Sequence, residues 1–271
     1  MGVPLSGIVG GPLSGGIMGE FDGVLGLHGW QWLFLLEGLP AMLLGVVAFY
    51  YLQDRPAEAT WLTVADKLRL ERDLAADRAA AVGKGGHDFR DVLRDPMISA
   101  FGAMNFAVNC GENAISFWTP SLLREAGLAS VGTIGWVTGL ISLTAAVAMV
   151  LVGRSSDRFM DRKWHFLGCG VLAVGGLLAL PLGTGNVVVT MLILMVAGIG
   201  NICLLSLYWA IPTSYLHGRG AAGGIALASM VGAMGSGVSP TIIGYMRVQT
   251  GTLYGGLAAV AGIVAMGMVL V

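Results

Sequence analysis

The chain has 271 residues, 55% of them hydrophobic and only 11% charged, with 43 glycines and a formal net charge of −1. Soluble domains carry about a quarter charged residues, and no water-soluble fold of this length hides so much apolar surface, so the composition points to an integral membrane protein. The absence of a basic field excludes a nucleic-acid-binding protein, and Cys110, Cys169 and Cys203 stand singly in apolar runs, with neither the spacing of a disulfide framework nor that of a metal site.

In chain order, the first apolar stretch, 3–19, has no basic segment before it and does not read as a cleaved signal peptide. Its glycines form small faces, Gly11-x-x-x-Gly15 and Gly15-x-x-x-Gly19, suited to close helix packing in lipid. A second span covers 32–52. A polar island at 53–95 follows, with eight of the fifteen Lys and Arg residues. Thr63 and Asp66 have capping-box spacing and open a surface helix through Ala81. Val64 and Leu68, then Leu70 and Leu74, offer it an apolar face towards the membrane. Gly83–Gly86 break that helix, and 88–95 form an amphipathic lead-in, with Phe89, Val92 and Leu93 set against Arg90 and Arg94. Further spans follow at 97–120, 133–153, 166–183, 187–212, 221–245 and 252–271, each near the roughly 20 residues that cross a bilayer. The expectation is an all-α integral membrane protein with eight transmembrane helices.

Positive charge orients it. With 53–95 cytoplasmic, the loops on that side hold all the Lys and Arg residues except Arg124 and Arg247, and both termini are expected to be cytoplasmic.

Charged and amide side chains inside spans are costly and read as functional by default. Only Glu37 and Glu112 are acidic well within a span, and no Lys, Arg or His occupies the middle of one. Glu37 lies near the external end of its helix and reads as a structural or coupling residue. Asn105, Asn109 and Asn113 recur at four-residue spacing with Glu112 beside them. The amides suit a hydroxylated carboxylate and Glu112 suits a hydroxyl or a proton; the competing reading is a polar contact between buried helices. Asn201, Ser206, Tyr208 and Trp209 make a second polar and aromatic patch, in which Trp209 either packs on a substrate or anchors at the interface.

The loop Gly153-Arg-Ser-Ser-Asp157-Arg158-Phe-Met-Asp161-Arg162-Lys163 offers Asp157 as a cap for the next helix and as a partner for a neighbouring cation. It resembles the signature loop of the major facilitator superfamily in its weaker second copy, with Met160 where the family prefers glycine. Residues 30–56, Phe117-Trp-Thr-Pro120, Tyr208-Trp-Ala-Ile-Pro212 and Ala226–Gly244 are similar, in order, to helices six, seven, ten and eleven of its anion:cation symporter branch. Ser229 and Ala233 stand where that branch often has Asn.

The resemblance implies helices five to twelve of a twelve-helix fold. Residues 1–52 would be the last two helices of the N-terminal bundle, 53–96 the cytoplasmic linker and 97–271 the C-terminal six-helix bundle. Helices one to four would be missing, leaving a chain inactive alone; the alternative is a true eight-span protein. The implied activity is proton-coupled symport of a small organic anion, a sugar acid or dicarboxylate, across the cell inner (plasma) membrane, by a protein monomeric at full length. Asn109, Glu112, Asn113, Asn201 and Trp209 would bind substrate, and Asp157 and Arg158 would gate. No cofactor or metal is expected, and no nucleophile–base pair, metal cluster or phosphate loop suggests an enzyme. The rivals are a drug or metabolite exporter, which the Gly11-Pro12-x-x-Gly15-Gly16 pattern resembles, and a non-transporting membrane sensor.

Overall fold

Short polar caps divide this apolar sequence into helices. In a computed structural model, which describes residues 2–53, 58–59, 61–83, 95–210 and 219–270, they are α1 (Gly2–Glu20), α2 (Gly29–Tyr51), α3 (Val64–Gly83), α4 (Pro96–Glu125), α5 (Val131–Phe159), α6 (Arg162–Ala179), α7 (Val187–Ala210), α8 (Arg219–Thr250) and α9 (Tyr254–Met268). Asp95 starts α4, its Oδ1 accepting from Met97 N at 2.8 Å, with Pro96 in the first turn where its missing N–H costs nothing. Ser130 caps α5 and Asn186 caps α7 in the same way. Thr63 Oγ1 accepts from Asp66 N at 3.3 Å to open α3, as its spacing predicts. Val64 and Leu68 on α3 are exposed among the described residues. Residues 54–57, the lead-in from 88 to 94 and Pro212 lie outside the described residues.

Helices stand at all eight positions where the sequence suggests a span. Five are long and apolar enough to cross a membrane: Gly29–Tyr51, Val131–Phe159, Arg162–Gly183 (α6 with the short 3₁₀ turn that follows it), Val187–Ala210 and Gly223–Thr250. One boundary differs in kind. The apolar run of the fourth span ends at Gly153, yet α5 continues to Phe159. The apolar run reports the edge of the bilayer, and backbone hydrogen bonding carries the helix past it. Asp157 therefore sits inside α5 and does not cap α6. Asp161 does, its Oδ1 accepting from Trp164 N at 3.3 Å.

Helices α4 to α9 share one buried core that runs from Phe101 to Val264. Within it α8 lies along α4, α6 along α7, α5 against α7, and α9 against both α4 and α6. Gly232 and Gly235 on α8 admit α4: a Cβ on Gly235 would stand 2.5 Å from the Phe106 carbonyl oxygen. At the far end of this pair Arg247 bonds Glu125 at 3.0 Å and lies 5.8 Å from the Trp118 ring centroid.

Helix α1 packs along α5, and the glycines explain how. A Cβ on Gly11 would meet the Gly135 carbonyl at 2.7 Å, and one on Gly15 would come within 3.2 Å of the Gly135 Cα, so backbone lies directly on backbone. Gly19 faces open space, so the Gly11/Gly15 face serves this contact and the Gly15/Gly19 face does not. Helix α2 joins α1 near the connecting turn, where Trp32 Nε1 donates to the Val24 carbonyl at 3.0 Å. Otherwise α2 exposes Phe34, Leu39, Met42, Leu43 and Phe49. Such a surface suits lipid or further apolar helices, not water.

Candidate substrate cavity

Four helices enclose a cavity of ≈ 220 Å³. From α4 it receives Glu112, Ser116 and Thr119, from α5 Thr138 and Ser142, from α1 Ser6 and Gly7, and from α7 Gly198 and Ile202. These residues lie in the middle stretches of α4, α5 and α7. The Thr119 and Thr138 hydroxyls donate to their own helix, to Ile115 O at 2.7 Å and Ile134 O at 2.8 Å. Glu112, Ser116 and Ser142 have no hydrogen-bond partner among the described residues and remain available to a ligand. No basic side chain of the described residues joins the lining. The surface combines one carboxylate, several hydroxyls and apolar walls.

Of the residues singled out in the sequence, Glu112 faces this cavity. Its neighbour Asn113 is turned about 100° further round the helix and meets α8, where its Nδ2 donates to Ser236 Oγ at 2.9 Å and to Asn109 O at 3.0 Å. Asn109 Nδ2 donates to Asn105 Oδ1 at 2.8 Å, and Asn105 Nδ2 to the Ala228 carbonyl at 3.0 Å. The three amides thus form a ladder along α4 that contacts α8 at Ala228 and Ser236. Asn109 and Asn113 are half-buried and neither lines the cavity.

Asn201 is fully buried, with Nδ2 donating to Ala197 O at 3.0 Å. Its Oδ1 points at Gly111 on α4, where a Cβ would overlap it, and it has no partner among the described residues. Trp209 lies about two turns beyond Ile202, its ring edge-on to Tyr208 at 5.2 Å, and is outside the cavity lining. Tyr208 is the more consequential of that pair. It is buried, and its hydroxyl donates to the Phe101 carbonyl at 3.0 Å, tying α7 to α4.

Glu37 accepts from Ser14 Oγ at 2.7 Å and so joins α2 to α1. Asp157 and Arg158 are exposed on the last turns of α5 and form no ion pair among the described residues. The polar contacts at this end belong to their neighbours. Arg162 donates to the Ala210 carbonyl at 3.0 Å, while the His165 ring bridges the Asp161 carbonyl at 2.6 Å and Ser155 Oγ at 3.0 Å. Ser116 and Ser142 went unnoticed in the sequence because a lone serine in an apolar run gives no signal; only the meeting of α4 and α5 makes them neighbours.

Residues 1–240 match the sequence profile of the Major Facilitator Superfamily. The chain is 38% identical over 97% of its length to a Pseudomonas putida protein named "Putative metabolite transport protein NicT", covering 60% of it. It is 36% identical over 98% of its length to an Agrobacterium vitis "Putative tartrate transporter", covering 59% of it. A "Quinolone resistance transporter" of Acinetobacter baumannii is 29% identical over 98% of the chain, which covers 61% of that protein. The chain therefore spans about three fifths of these relatives' length. It is a multi-pass membrane protein and belongs to the Major Facilitator Superfamily.

Proposed function

We propose that this chain contributes helices five to twelve of a proton-coupled symporter for small hydroxylated organic anions, with residues 97–271 as its C-terminal bundle and 53–96 as a cytoplasmic linker. It would work in the plasma membrane as a monomer when four further helices are supplied. The observation that carries this reading is the Glu112 carboxylate, unpaired among the described residues, in a hydroxyl-lined cavity between α1, α4, α5 and α7.

Coupling follows from charge. An ionised Glu112 and a substrate carboxylate a few ångströms apart repel in a poorly screened site. Protonating Glu112 removes that repulsion, so proton and anion favour each other's binding, and the linkage is reciprocal. The cavity hydroxyls then bond the substrate's hydroxyls and carboxylate. A cation opposite the anion would come from the four further helices, because the described lining has none. Rocking of the C-terminal bundle against α1 and α2 would expose the site to each side in turn.

The test uses vesicles holding a chimera in which the first four helices of the Agrobacterium vitis relative precede this chain. Labelled tartrate should accumulate under an inward proton gradient. Glu112→Gln should abolish gradient-driven accumulation while leaving exchange of internal for external substrate intact. Vesicles with the 271 residues alone should show no uptake. Saturable uptake indifferent to both the gradient and Glu112 would refute the mechanism. An exporter is the second reading, favoured by the quinolone-transporter relative, and predicts drug efflux with no carboxylate uptake.

A further inference from the structure

Cys169 on α6 and Cys203 on α7 stand singly in the sequence, 34 positions apart, yet the fold brings them together where the two helices pack. Each lies seven residues from the end of its helix at one face of the molecule, Cys169 after Arg162 and Cys203 before Ala210. At about 1.5 Å of rise per residue both thiols therefore sit at the same depth, roughly 10 Å in. The backbones converge at this level. A Cβ on Gly200, about one turn from Cys203, would come within 2.7 Å of the Cys169 carbonyl oxygen, and one on Gly176 would come within 2.8 Å of the Ala197 backbone. Helices touching through glycine lie closer than the usual 8–10 Å between axes. That approach is what a disulfide between two helices requires, since its Cα atoms must lie about 4.4–6.8 Å apart.

We propose that Cys169 and Cys203 are an oxidisable pair, a modification site at which a small permeant peroxide closes a disulfide between α6 and α7. In the first step the sulfur of Cys169, the less buried residue of the pair, attacks one peroxide oxygen. The O–O bond breaks, a sulfenic acid forms and one water leaves, taking up the thiol proton. The Cys203 sulfur then attacks the sulfenic sulfur; the S–S bond forms and the S–OH bond breaks, with a second water leaving. Two thiols lose two electrons, and one hydrogen peroxide gains them. Ile202, next to Cys203, lines the Glu112 cavity, so the new bond lies against the wall of that site and fixes α7 to α6 beside it.

Cys110 supplies the internal control. It is buried on α4, and its Sγ donates to the Gly235 carbonyl at 3.5 Å, with no thiol partner. Membranes containing the intact chain are treated with hydrogen peroxide, then denatured and alkylated, and the peptides are mapped by mass spectrometry without reduction. The expected result is a fall from three alkylatable thiols to one, Cys110, with a linked Cys169–Cys203 peptide that dithiothreitol releases. Cys169→Ser and Cys203→Ser should each abolish the link; the unsubstituted chain carries the decisive mapping even where a variant folds poorly. Three free thiols after treatment, separate over-oxidation of each cysteine, or a link through Cys110 would overturn the assignment.

Discussion

At Met160 the backbone turns left-handed, with φ 52 and ψ 30, to close α5 and hand the chain to Asp161. A side chain with a Cβ is strained there by about 1–2 kcal/mol. Glycine escapes that strain but loses more entropy on folding, which returns roughly 0.4–1 kcal/mol. Met160→Gly should therefore stabilise the protein modestly, by about 0.5–1 kcal/mol, seen as a higher thermal midpoint in detergent. Gly111 shows the opposite constraint. Its missing side chain leaves room for the Asn201 amide oxygen, so Gly111→Ala should destabilise by about 1–3 kcal/mol through overpacking. Asn201→Ala removes the obstacle, and the double variant should recover part of that loss, a coupling that a double-mutant cycle on unfolding midpoints measures directly.

Among elements, the tie between α7 and α4 rests in part on one phenol. Tyr208→Phe keeps the ring and deletes the hydrogen bond to Phe101 O, at a cost of about 0.5–1.5 kcal/mol in an unfolding titration. This strut also shows what the sequence reveals and what it hides. Helix positions are legible, because a bilayer demands long apolar runs whatever the tertiary fold. Glu112 is legible too, since an acid in such a run announces itself. Partnership is not. Asn113 meets Ser236 from 123 positions away, and no spacing within α4 says whether an amide turns to a cavity or to α8. Asp157 and Asp161 failed to separate for another reason. Hydropathy marks where lipid stops, whereas capping is decided by where the helix stops, about two turns later.

For the whole molecule, the exposed apolar side of α2 and the membrane-length helices predict that alkaline carbonate leaves the chain in the membrane pellet while detergent releases it. The proposed orientation has a separate consequence. A cysteine introduced at Arg69 on α3, in a background with the three native thiols replaced, should react with an impermeant maleimide only after the cytoplasmic face is opened. Labelling in sealed, right-side-out preparations would reverse the orientation.

The contact between α1 and α5 also bears on motion. Gly11 and Gly15 meet Gly135 with no side chain standing between the backbones. Most helix pairs interdigitate, and sliding one past the other means lifting each knob out of its hole. Here the interlocking is slight, with the Pro12 ring against Gly139 and Ser142 against Gly7. Separation would forfeit this contact, while a small tilt or slip would disturb few side chains. Bulk added at Gly135 should thus register first as slower turnover, before any change in how tightly a ligand is held.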